Sequence, residues 1–223
     1  KIWNATRFLL MNLESRNLIE VKRSDLNVMD RWIYSQLNNA AKSIQKAMNG
    51  YHFNEAAQTI YSFFWNDFCD WYIEASKQRL LHGTDAEKDL QVSILMEILE
   101  ESMRLMHPFL SFLTEEIYQK LPNHKGDVIS AEYPVYRSDR EDKEAEKLVN
   151  ALQDAIKNVR AVRSNLMIGP EKKVKVVIRP SKDYFASQFL VEEASLMGAF
   201  MNASSVTVDL DESEDVSKAF PSH

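Results

Sequence analysis

Phe63-Phe64-Trp65-Asn66-Asp67-Phe68-Cys69-Asp70-Trp71-Tyr72-Ile73-Glu74 puts six aromatic side chains into twelve residues. Such a stretch is too aromatic for a solvent-facing surface and too interrupted by Asn66, Asp67 and Asp70 for a membrane. Read back to Phe53, the apolar positions Phe53, Ala56, Ala57, Ile60, Phe64, Phe68, Trp71, Tyr72 and Ala75 follow the three-and-four spacing of one broad helix face. Burial of large aromatics dominates core energetics, so this face reads as core rather than as a base-stacking or cofactor surface. Asp67, Asp70 and Glu74 fall on roughly one other side. They read as a solvated or ion-paired face, not as an acid–base pair. Cys69, on the same helix, reads as a small buried hydrophobe rather than a nucleophile.

A central helix of this kind needs other helices around it, and its neighbours supply them. Ile2, Ala5, Leu9, Leu10 and Leu13 share a face of an opening helix, with Asn4, Arg7, Phe8 and Asn12 on its flank. Ile33, Leu37, Ala40, Ala41, Ile44 and Met48 mark the next, with Asp25 or Asp30 as candidate N-caps and a left-handed Gly50 as its stop. A further helix from about residue 85 carries Leu90, Ile94, Ile98, Leu105 and Met106. Pro108 ends it and opens another, which buries Phe109, Phe112, Leu113, Ile117 and Leu121.

Residues 1–121 therefore read as a helical bundle. Residues 122–141, punctuated by Pro122, Gly126 and Pro134, read as a linker. Residues 142–223 read as a small α/β subdomain in α-β-α-β order, truncated at its C-terminal end. It has a helix over 142–165 with Leu148, Leu152, Ile156 and Val159 inward, strands at 173–178 and 205–210, and a helix near 184–201 between them. Strands joined this way run parallel. The acidic stretch 209–215 is expected to fray. The fold class is mainly α.

Composition excludes several functions. Hydrophobic content of 45% and charged content of 27% suit an ordinary globular protein. No run has the length and apolarity of a membrane helix. The lone Cys69 forms no internal disulfide, which fits a reducing, cytoplasmic setting. The five glycines form no phosphate-binding loop, no histidines have metal-ligand spacing, and no nucleophile–base constellation is visible. Neither a catalytic residue nor a cofactor or metal site is expected. The net charge of −6 argues against indiscriminate binding to DNA or RNA. Residues 1–50 nevertheless hold eight Lys/Arg against four Asp/Glu, which suits an end facing a polyanion. Two readings stay open: an RNA-binding part of a larger enzyme, and a protein–protein scaffold whose groove holds a partner helix.

Several motifs narrow this choice. Lys1-Ile2-Trp3-Asn4-Ala5-Thr6-Arg7-Phe8 resembles the segment opening the anticodon-binding bundle of valyl-tRNA synthetases. Asp30-Arg31-Trp32-Ile33 resembles the next helix start in the class I enzymes for valine, isoleucine and leucine. Phe68-Cys69-Asp70-Trp71-Tyr72-Ile73-Glu74 is similar to the valine enzymes in particular. His107-Pro108-Phe109 with Phe112-Leu113-Thr114-Glu115-Glu116-Ile117-Tyr118 is similar to the family's last bundle helix. The likeness continues through Asn158-Val159-Arg160-Ala161-Val162-Arg163 and the strand before Arg179-Pro180.

The resemblance implies the class Ia anticodon-binding bundle. It implies a fragment of a valine–tRNA ligase, an enzyme whose ATP and magnesium belong to a catalytic domain outside this chain. The corresponding domain of an isoleucyl-tRNA synthetase is the alternative within the family. The expected partner is valine tRNA, read at the middle adenine and third cytosine of its anticodon by a monomer that binds neither DNA nor membrane. The family motif carries over as Lys1 and Phe8, with Asn4 and Arg7 beside them on the same helix. An aromatic face stacks an unstacked base while an ammonium or amide reaches base edges or phosphate. Packing against the bundle is the competing role for Phe8, and a surface ion pair is the competing role for Arg7. The family's catalytic signatures and its coiled-coil arm are not found in the chain.

Overall fold

The computed structural model describes residues 1–14, 16–122, 124–169 and 171–214. The chain divides after Ala145 into two units. In the first, α1 (Ile2–Leu13), α2 (Val28–Asn49), α3 (Phe53–Ser62), α4 (Ile73–His82), α5 (Asp85–Met106) and α6 (Ser111–Tyr118) form a bundle. α5 lies against α1, α2, α3, α4 and α6. α3 and α4 are joined without a break by Phe63–Tyr72, which winds as a π-helix. The Ile73 N–H bonds the Phe68 carbonyl five residues back.

The wider winding follows from which residues must be inside. Ala56, Ile60, Phe64, Phe68, Tyr72 and Ser76, spaced four apart, are all essentially inaccessible. An α-helix turns ~100° per residue, so a row of fours drifts by ~40° each step and leaves the core within a few turns. Closing bonds at i+5 slows the winding and holds the row in place. Phe64 and Phe68 meet at 5.2 Å between ring centroids, and Phe68 and Tyr72 at 6.5 Å. The expected stripe is thus retained in part. Phe53 is exposed, and Ala57 and Trp71 are only half-buried, while Phe63, outside the stripe, is buried.

Asp30 ties these helices together. It is 1% exposed, and its Oδ1 accepts from the Tyr72 hydroxyl at 2.6 Å while its Oδ2 accepts from Arg79 at 3.0 Å. Gln91 on α5 closes the ring: its Nε2 donates to Tyr72 Oη at 2.9 Å, and its Oε1 accepts from Arg79 at 3.1 Å. The N-cap of α2 is Asn27, not Asp25 or Asp30. Asp30 is its reciprocal partner in a capping box, accepting the Asn27 N–H at 3.1 Å. At the other end of α2, Gly50 has φ −89° and Tyr51 takes the left-handed conformation at φ 59°, so the stop works one residue later than expected. α5 starts on a second capping box, Thr84 with Glu87.

Pro108 separates α5 from α6, but α6 begins only at Ser111. Phe112, expected in the core, is 95% exposed; Ile117, Tyr118 and Leu121 carry the burial instead. The stretch expected as a linker is held on the bundle. The Asn38 side chain grips the Arg137 peptide, accepting its N–H at 2.7 Å and donating to its carbonyl at 2.8 Å. Tyr133 Oη donates to the Leu105 carbonyl, Arg104 to the Glu132 carbonyl, and the Asp142 N–H to Ser35 Oγ.

The second unit holds most of α7 (Lys143–Asn165), then β1 (Lys175–Ile178), α8 (Ser187–Glu192), α9 (Ala194–Met201) and β2 (Ser205–Val208). The strands pair in parallel, Lys175 opposite Ser205 through Ile178 opposite Val208, as the α-β-α-β order requires. The single helix expected between them is interrupted at Glu193. Along α7, Val149, Leu152 and Ile156 are buried, and Leu148 and Val159 are half-buried. Arg163 is 7% exposed and donates to the carbonyls of Met201, Gly169 and Lys172 within 2.9 Å. It thereby joins α7 to the end of α9 and to the approach to β1. The acidic end is not frayed through Glu214: Arg179 pairs with buried Asp209 at 2.9 Å, and Lys175 pairs with Glu214 at 2.7 Å. Asp215 lies outside the described residues.

Two stability measurements check this account. Asp30→Ala takes the counter-charge from Arg79 and the acceptor from the Tyr72 hydroxyl, leaving Gln91 as their remaining partner in the ring, and is expected to cost roughly 3–5 kcal/mol in urea unfolding. A loss below about 1 kcal/mol removes Asp30 from the centre of the fold. Asp67, on the π-helix, departs from the solvated or ion-paired face expected of it: burial pushes its carboxyl up to about 6. Its folded value lies above its unfolded one, so ionisation opposes folding. That cost is absent below about pH 4, grows through the window to about pH 6 and is complete above it. Asp67→Asn is therefore expected to stabilise the chain at pH 7 by on the order of 2 kcal/mol, with the gain vanishing near pH 4. Equal unfolding of variant and parent at pH 7 overturns the assignment.

Candidate nucleic-acid interface

α1 buries Ala5, Thr6 and Leu9 and packs against α5 and the π-helix. That choice turns the opposite face outward. Lys1, Asn4 and Phe8, three and four residues apart, lie along one line of the helix, with Arg7 on its outer flank. Lys1, Asn4 and Arg7 are exposed and Phe8 is half-buried. The four residues expected at an RNA-facing site therefore share one side of α1, and none is in the core.

Their surroundings come from the far end of the sequence stretch that decided the fold. Lys1 Nζ lies 2.5 Å from Asp70 Oδ1, 3.4 Å from the Trp65 carbonyl and 4.4 Å from the centroid of the Trp65 ring. Lys77 Nζ sits 5.9 Å from the centroid of Phe8 and pairs with Glu74 at 2.6 Å. Phe8 is thus covered in part by a lysine stem and open elsewhere. Trp65 in turn stacks on Tyr61, with centroids 5.2 Å apart and planes 22° from parallel.

Reading residues 63–74 as scaffold is right for Phe63, Phe64, Phe68 and Tyr72 but misplaces Trp65, which is half-buried beside Lys1. Spacing alone carried no such signal: Cys69 and Ile73 continue the row of Tyr61 and Trp65, four apart and one position out of step with the buried row, and they are buried. Asp70 and Glu74 serve as counter-ions to Lys1 and Lys77. Cys69 is buried and its thiol is pushed up to about 11 by that burial, which keeps it protonated and unreactive.

The first unit also has a polar cleft of about 240 Å³ lined by Arg23, Arg31, Tyr34, Glu97, Arg140 and Asp142, among others. Its cations each have a carboxylate nearby, although Arg23 and Arg31 share one and the buried Arg31 Nε has no hydrogen-bond partner among the described residues. Arg140 pairs with Glu101 at 2.6 Å, and Arg23 and Arg31 each approach Asp142 at 3.5 Å. Tyr34 donates to Glu97 at 2.6 Å. Self-neutralised in this way, the cleft offers an anion much less than the α1 face does. Among the described residues, no group of three or more His, Cys, Asp or Glu is placed to hold a metal ion, and no helix is long and apolar enough to cross a membrane.

Comparison with known proteins shows the family, although the family match itself begins after α1. Residues 30–178 match the family described as the anticodon-binding domain of tRNA ligase. A valine–tRNA ligase of Treponema denticola is 42% identical over 195 residues, which is 82% of this chain and 22% of that protein. One from Thermotoga maritima is 45% identical over 80% of this chain and 20% of its own length. One from Bacillus thuringiensis is 38% identical over 95% of this chain and 24% of its own. The chain thus spans between a fifth and a quarter of the length of these relatives. Matched from Asp30 to Ile178, across the bundle from α2 onward and into the second unit, the chain belongs to the anticodon-binding domain family of tRNA ligases.

Proposed function

We propose that this chain is the anticodon-reading part of a valine–tRNA ligase and binds valine tRNA through the outward face of α1. The observation that carries the proposal is the likeness to valine–tRNA ligases over most of the chain, on a bundle that presents Lys1, Asn4, Arg7 and Phe8 together. The ligase joins valine to its tRNA at the expense of ATP, in the cytoplasm. ATP and magnesium act in a catalytic domain distinct from these residues.

The chemistry of the face fits an unpaired loop. Phe8, open on part of its ring, offers a stacking surface to a splayed base, and Asn4 has the paired donor and acceptor that read a base edge. Lys1 is held by Asp70 in an exposed pair, the kind worth about 0–1 kcal/mol, so an RNA phosphate or base acceptor can take the ammonium over at little cost. Arg7 reaches out from the same helix without a competing role in the core. Selectivity for the middle adenine and third cytosine would come from base-edge contacts on this face, and affinity from stacking and phosphate neutralisation.

Titration of the chain with a valine tRNA transcript, and with a transcript altered at the middle anticodon base, tests this at two salt concentrations. The unaltered tRNA is expected to bind more tightly, with affinity falling as salt rises. Phe8→Ala and Lys1→Ala are each expected to weaken binding by roughly 1–3 kcal/mol while leaving the melting temperature nearly unchanged. Equal affinity for the two transcripts overturns the anticodon assignment. A large thermal loss with unchanged RNA affinity returns Phe8 to the core.

A further inference from the structure

We propose that the stacked pair Tyr61–Trp65 is a second base-stacking platform, continuous with the α1 face, on which a further unpaired nucleotide of the bound RNA lies. The proposal rests on the RNA-binding reading above and extends it to residues outside α1.

Three observations converge on the pair. Both rings are turned away from the buried row of the α3–π–α4 helix: Ile60, Phe64 and Phe68 fill the core side, while Tyr61 is 56% exposed and Trp65 half-buried. The two rings are already stacked, 5.2 Å apart and 22° from parallel, so the outer ring is held in a fixed plane before any ligand arrives. Pre-ordering of this kind lowers the entropy lost on binding. Lys1 joins the platform to the α1 face: it belongs to the line of Asn4 and Phe8, yet its ammonium lies over the Trp65 ring at 4.4 Å. A cation beside an exposed aromatic pair is the combination that single-stranded nucleic acid uses, one for phosphate and the other for the base. The ring next to Lys1 is Trp65, and Tyr61 is stacked on it.

Stacking has its own signature. Every base has a π face, so the platform adds affinity without reading sequence, and Tyr61 carries no charge that would alter the salt dependence. Tyr61→Ala in this chain is expected to weaken binding of the valine tRNA transcript roughly 5- to 150-fold, the equivalent of about 1–3 kcal/mol. The affinity ratio between the unaltered and middle-base-altered transcripts, and the slope of affinity against salt, should stay as in the parent. Tyr61→Phe keeps the ring and should bind within about twofold of the parent. Tyr61→Leu keeps an apolar cover over Trp65 without a π face, guarding against a general loss of fold. It should melt with the parent and bind like the alanine variant.

Parent-like binding by Tyr61→Ala or Tyr61→Leu overturns the platform while leaving the α1 reading intact. A loss in Tyr61→Phe as large as in Tyr61→Ala overturns it in favour of a hydroxyl hydrogen bond. A parent chain that does not distinguish the transcripts at all removes the anticodon reading. If it does not bind RNA, both fall.

Discussion

One buried carboxylate sets the arrangement of the bundle. Asp30 is enclosed at the N-terminus of α2, where the first-turn N–H groups favour negative charge, and it receives a hydroxyl from the π-helix, a guanidinium from α4 and a backbone N–H from Asn27. Gln91 of α5 completes the set. Burying a charge is costly unless every lone pair finds a donor, so the four elements cannot slide or rotate independently without orphaning part of the network. Apolar contacts alone tolerate such slippage. Directed bonds at distances of 2.6–3.1 Å do not.

The aromatic helix is the element most constrained by this. Tyr72 must meet Asp30 while Phe64 and Phe68 remain inside, and the π winding reconciles those demands over a row spaced by fours. The same winding decides what reaches the surface. Trp65 emerges beside Lys1 with Tyr61 stacked on it, and Asp70 and Glu74 emerge as counter-ions to Lys1 and Lys77. The side proposed to face RNA is therefore set in part by core register: Trp65, Asp70 and Glu74, left outside the core, form the surface beside Lys1 and Lys77.

Elsewhere the fold relies on single polar side chains that satisfy peptide groups. Asn38 accepts from the N–H and donates to the carbonyl of one residue, Arg137, and so holds that part of the irregular stretch on the bundle. Arg163 does the corresponding work in the second unit, where a two-stranded sheet has little stability of its own. The motif containing Arg163, notable in the sequence as a family signature, is thereby explained as structure.

What the sequence determined by itself was the periodic part. Spacings of three and four fixed the helices, alternation fixed the two strands, and their order fixed a parallel pair, because these patterns are properties of one element facing one core. The likeness to valyl-tRNA synthetases was also legible, and so was the placing of Lys1, Asn4, Arg7 and Phe8 on one helix outside the core, since both follow from local sequence. What only the tertiary structure decided depends on which distant groups meet. Phe112 stays outside despite its helical spacing, residues 132–142 are bonded to the bundle despite their linker-like composition, and Trp65 faces Lys1 rather than the core. A hydrophobic period says that a side chain can be buried. Whether it is depends on a neighbour sixty residues away, and on a helix that winds more slowly than the period assumes.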